Sequence, residues 1–143
     1  MVVLRLRRVL PAMWAGVLLC IALMAAPMLF ATLAAADAGR VVGRLFAQEA
    51  YLSLAIAVVL LLLERRAAAA DAGAGRGSVL NASLLLLLGT LFCTLGGYFA
   101  VEPMMAATRA GQGGPPFAVL HGISMGFFGL KLLLVCVLGW RAA

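Results

Sequence analysis

The sequence predicts an all-α integral membrane protein, a four-helix transmembrane bundle with both termini in the cytoplasm. Three observations predict it. Of 143 residues, 66% are hydrophobic and only 11% are charged, more apolar surface than a soluble domain of this size can hide from water. Four apolar stretches, at about residues 9–36, 41–63, 79–101 and 117–140, each supply the roughly 20 residues that a hydrocarbon core near 30 Å requires. The arginines between them fall unevenly on the two sides, and that asymmetry orients the bundle. Residues 1–143 read as one domain without an internal repeat.

The first stretch follows Arg5, Arg7 and Arg8 and carries no charge until Asp37. A basic start and the small-residue tail LAAADAG resemble a signal peptide, but such an apolar region is only about 7–15 residues long. A retained span is the expected reading. The second stretch has an uninterrupted apolar part only over residues 50–63, so crossing requires it to take in Arg44, Gln48 and Glu49. Arg40, Arg44 and Gln48 recur at i, i+4, i+8 on one helical stripe, with Asp37 a turn earlier. Arg44 is expected either to snorkel outward at the interface or to turn inward. Glu49, about 12 Å inside a helix beginning at Val41, has no long stem with which to escape.

The run ERRAAAADAGAGRGS, residues 64–78, reads as a flexible loop on the side of the termini. The third stretch ends in YFAVEPMMAATR, with Glu102 just before Pro103, where a helix stops or bends. GQGGPP breaks the chain before the fourth stretch, which holds the only histidine, His121, and the only lysine, Lys131. Counting Arg5, Arg7, Arg8, Arg65, Arg66, Arg76 and Arg141 against Arg40, Arg44 and Arg109 places both termini inside.

On this layout Arg40, Arg44, Gln48, Glu49, Tyr98, Glu102, Arg109 and His121, with Asp37, gather near the outer side. Polar groups from separate helices at one depth satisfy each other where a lone one would be costly. Such a cluster either forms a binding site or locks the bundle's register. Lys131 lies about 21 Å down its helix with no acidic residue at its depth, so it is expected either to snorkel toward the cytoplasmic headgroups or to join His121, Ser124 and Phe128 in a stripe facing the interior. Its insertion cost of about 2.5–3.5 kcal/mol is outweighed by the surrounding Leu, Ile, Val and Phe residues.

The net charge of +6 does not point to nucleic acid, because the basic residues are scattered at segment ends without interleaved aromatics; a lipid bilayer is the expected partner. Gly39 and Gly43, and Gly122, Gly126 and Gly129, are spaced for close helix approach and for self-association into a homo-oligomer. Cys20, Cys93 and Cys136 lie apart in apolar runs and read as packing residues. Cys20, Met24 and Met28 at helical spacing, Met104, Met105, and Met125 beside His121 form the set that would suit copper(I). One histidine permits a single axial haem ligand at most. No phosphate-cradling loop, catalytic triad or carboxylate pair is visible, so no catalytic residue is expected.

Four motifs occur in order: APMLFATL at 26–33, AGRVVGRLF at 38–46, EPMMAATR at 102–109 and FAVLHGIS at 117–124. Together they resemble the bacterial four-span membrane family of unknown function related to the eukaryotic transmembrane protein 205. The resemblance implies an inner-membrane, multi-pass protein without an assigned activity, and a eukaryotic relative tied to platinum-drug resistance hints at export or trafficking. It also implies a remote fold kinship with copper-resistance membrane proteins and a haem-pathway oxidase. The family pattern falls on Pro27, Phe30, Gly39, Gly43, Phe46, Pro103, Arg109, Phe117 and His121, and Lys131 is outside it. The expected function is binding or passage of a small cation or metal species; a single-histidine haem protein and a structural accessory subunit are the alternatives.

Overall fold

Four helices run back and forth in the computed structural model, which describes residues 2–142. They are Val2–Thr32, Ala35–Gly73, Ala82–Arg109 and Phe117–Ala142, each long and apolar enough to cross a membrane. No strand occurs among the described residues. Helices are what lipid permits, since only they satisfy every backbone amide within the segment.

The helix bounds differ from those read off the sequence. The first helix ends at Thr32, and Leu33 turns extended at φ −113°, ψ 156°. The second helix therefore begins at Ala35, six residues earlier than expected. Asp37 falls in its first turn, where a carboxylate complements the helix dipole. At its other end the second helix runs on to Gly73, absorbing most of the expected loop. Alanine is the best helix former, and residues 67–70 are four alanines in a row. Gly75 and Gly77, with φ of 70° and 115°, turn the chain back. Asn81 caps the third helix, its side-chain oxygen accepting from the Leu84 amide at 2.9 Å.

Pro103 neither stops nor opens the third helix. The chain widens into a π segment at Leu95–Ala100 and resumes as α-helix through Arg109. A proline lacks an amide to give to the preceding turn, and the wider turn takes up the misfit. A second π segment, Ile21–Ala25, precedes Pro27 in the first helix in the same way.

Each helix packs on its chain neighbours, and the first closes the ring against the fourth. The second and fourth stand on a diagonal, with no Cα pair within 8 Å. Trp14, Leu18, Ala57, Leu60, Leu87, Val135 and Leu138 form the main core, toward the end that carries the termini. A smaller cluster of Val101, Met105 and Leu120 closes the opposite end.

The expected glycine stripes do not bring helices of this chain together. A Cβ at Gly39, Gly43, Gly122, Gly126 or Gly129 would meet nothing within 4 Å. The close approach is at Gly96 and Gly97, where the third helix presses on Phe127 and a Cβ on Gly97 would lie 2.7 Å from the Phe127 Cβ.

Candidate functional site

The buried polar centre of the bundle starts from the inward stripe of the second helix. Glu49, Ser53, Ala57, Leu60 and Glu64 recur every three to four residues and are buried. Lys131 comes from the diagonal fourth helix. Its Nζ donates to Glu49 Oε1 at 2.7 Å and to Oε2 at 2.8 Å. Both side chains are at most 5% exposed. Ser53, one turn on from Glu49, donates its hydroxyl to Oε1, and Trp14 Nε1 of the first helix donates to Ser53 Oγ at 2.8 Å. Three helices thus meet in one chain of hydrogen bonds. Among the described residues no buried side-chain nitrogen or oxygen lacks a partner.

This pair corrects the expectation that Lys131 snorkels away without an acid at its depth. Glu49 comes fourteen residues after Ala35 and Lys131 fourteen residues after Phe117, about 21 Å into each helix at 1.5 Å per residue. Both helices start from the same end, so equal counts give equal depth. Starting the second helix at Val41 had placed Glu49 about 9 Å too shallow.

Glu49 and Lys131 also line a cavity of about 220 Å³, whose other lining residues extend toward the end opposite the termini. Phe46 and Phe128 meet edge to face in its wall at 5.2 Å, and the Lys131 ammonium lies 5.2 Å from the Phe128 ring centre. The π segment places Gly97 and Tyr98 on the cavity, and Ser124 donates to the Gly97 carbonyl at 3.3 Å. Cys93 and Thr94 add a buried thiol and hydroxyl from the third helix.

At the outer part, Arg109 donates to Glu102 at 3.0 Å and lies 5.3 Å over the Phe117 ring. His121 stacks on the same Phe117 ring, with ring centres 5.8 Å apart and planes 11° from parallel. His121 is exposed and Arg109 half-exposed, so the cavity reaches the surface there.

Of the residues the sequence singles out, Phe30, Gly39, Gly43, Phe46, Glu49, Tyr98, Glu102, Arg109, Phe117, His121 and Lys131 border this one cavity. Arg40, Arg44 and Gln48 do not. They are exposed on the outer face of the second helix, and Arg40 pairs with Asp37. Gln48 precedes Glu49 by one residue, about 100° around the helix, so one stripe cannot hold both inside. Pro27 and Pro103 are exposed and shape the backbone near the two π segments.

Sequence reasoning missed Trp14 and Ser53. A tryptophan within a span needs a partner for its indole N–H, and Ser53 is the one hydroxyl a turn from Glu49, so the signal was present. It also missed a clasp at the terminal end, where Arg7 grips Glu64 at 2.6 and 2.8 Å.

The soft-ligand set does not assemble. Cys20, Met24 and Met28 are exposed on the outside of the first helix, while Met105 and Met125 border the cavity. Among the described residues no three His, Cys, Asp or Glu side chains form a group that could hold a metal ion.

The model of a domain of unknown function, DUF4149, matches residues 9–113. This chain belongs to that family. The DUF4149 match takes in Trp14, Glu49, Ser53, Tyr98, Glu102 and Arg109, and it ends before the fourth helix, which supplies His121 and Lys131. Neither a curated protein nor a solved structure matches the chain.

Proposed function

We propose that the protein binds a small cation inside the membrane, with Glu49 as the acid that receives it. The observation that carries this reading is that the Glu49–Lys131 pair is both buried and part of a cavity wall. A carboxylate in lipid cannot be left bare. Lys131 satisfies it as a tethered internal cation, and an arriving cation takes its place. The charge balances when the displaced ammonium gives up a proton, so binding of one monovalent cation releases one proton. Arg109, Glu102 and His121 stand where the cavity reaches the surface and set the field an entering ion meets.

The arginine asymmetry supports an orientation with both termini in the cytoplasm of a bacterial inner membrane and the cavity facing outward. The four motifs support kinship with the family related to transmembrane protein 205. The cavity offers hard oxygens from Glu49, Thr94 and Ser124 and soft sulfurs from Cys93, Met105 and Met125, so sodium and copper(I) are the informative probes.

Calorimetric titration of the detergent-purified chain with each probe, in weakly buffered solution with a pH indicator, tests the reading. The expected result is saturable binding of one of them with proton release, weakened at least tenfold in Glu49→Gln. Saturable binding that Glu49→Gln leaves intact overturns it. Absence of binding by both ions also overturns it, and leaves the second reading. That reading is a structural lock, favoured by the complete hydrogen bonding of the Trp14–Ser53–Glu49–Lys131 chain.

A further inference from the structure

The terminal end of the bundle holds a second cavity, of about 210 Å³, that the cation reading leaves unused. Glu64, beside it, comes fifteen residues after Glu49, about 22 Å along the second helix. Arg7, Arg8 and Arg141 border it, from the first and fourth helices, with Glu64 as its one acid. Glu64 is fully engaged by the two-point grip of Arg7. Arg8 and Arg141 have no Asp or Glu partner among the described residues. Ser83 adds a hydroxyl from the first turn of the third helix, whose positive dipole end lies there.

The rest of the wall is apolar: Leu4, Pro11, Leu60, Leu87, Leu138 and Ala142. Cationic forks above aliphatic side chains, at the end of a membrane-crossing bundle, are the two halves of a phospholipid's complement. Guanidinium groups recognise phosphate oxygens by paired N–H donors, and an acyl chain prefers leucine walls to water. Free phosphate would use the arginines and leave the aliphatic walls wet.

We propose that this cavity binds an anionic phospholipid, with the headgroup phosphate held by Arg8 and Arg141 and an acyl chain along Leu4 and Leu138. Arg7 is the positioning residue. Through Glu64 it joins the first helix to the second and holds the cavity's shape. Basic residues near a membrane surface attract anionic lipid in general; here the cavity restricts the effect to two of them.

The test is thermal unfolding of the full-length chain in neutral detergent, titrated with phosphatidylglycerol, phosphatidylcholine or inorganic phosphate. Phosphatidylglycerol should raise the midpoint saturably, with little effect from the other two. In Arg8→Gln/Arg141→Gln the half-saturating concentration should rise at least tenfold. Arg5→Gln/Arg76→Gln removes the same charge outside the cavity and should leave the titration as in the parent. Equal shifts with both lipids overturn the proposal, as does a shift that survives the Arg8/Arg141 variant. A shift by inorganic phosphate matching that of phosphatidylglycerol overturns the lipid assignment. Because Glu49 is untouched in every arm, the outcome is independent of the cation reading.

Discussion

Lys131 reaches Glu49 across the diagonal of the bundle, between two helices whose backbones never touch. Two opposite charges thereby act as a strut through the middle of a lipid-facing ring.

Removing one end of that strut leaves the other charge buried alone. Lys131→Met should therefore destabilise the fold by about 3–5 kcal/mol, whereas Glu49→Gln/Lys131→Met should recover most of the loss. Unfolding of detergent-purified variants in a double-mutant cycle measures both numbers. A double variant as unstable as the single one would show that the strut is not an ion pair in energetic terms.

The two kinds of glycine should separate cleanly. Gly97→Ala puts a Cβ 2.7 Å from the Phe127 Cβ, and the clash is with a backbone-fixed atom. It should cost about 1–3 kcal/mol through overpacking. Phe127→Ala should not rescue it, because alanine keeps the offending carbon. Gly122→Ala meets nothing within 4 Å and should stay within about 0.5 kcal/mol of the parent in monomeric protein. A large loss there only at high protein concentration would reveal packing between copies.

Opposite ends of the bundle should be labelled from opposite sides of the membrane. In a background lacking Cys20, Cys93 and Cys136, cysteine at position 76 should react with an impermeant maleimide only after lysis of spheroplasts. Cysteine at position 112 should react in intact ones. The reverse pattern would invert the orientation and turn the Glu49 cavity inward.

The fold class was legible because lipid leaves a long apolar segment few alternatives. The cavity wall was partly legible, since Glu49, Tyr98, Glu102, Arg109 and His121 were picked out by the cost of polar groups in lipid. Lys131's partner was not legible. Depth is counted from a helix start, and the alanine-rich join around 34–36 gives no cap or breaker to mark one. The face on which Arg44 and Gln48 sit depends on rotation, and a six-residue error in the start does not reveal it. The tie from Trp14 to Ser53 joins consecutive helices, but which residues meet depends on how each helix is rotated, which spacing along the chain does not encode.

The wide turn at residues 95–100 is slack in the third helix. A π turn holds about one residue more than the α turn it replaces, so excising one residue there lets the turn tighten to α with the chain beyond it still facing the same way. Glu102, Met105 and Arg109 would stay on the cavity wall. Removing one residue from the regular turns of 82–94 would instead swing all three by about 100° relative to the start of that helix. A single-codon deletion thus spares or re-aims the entrance of this bundle according to where along one helix it falls.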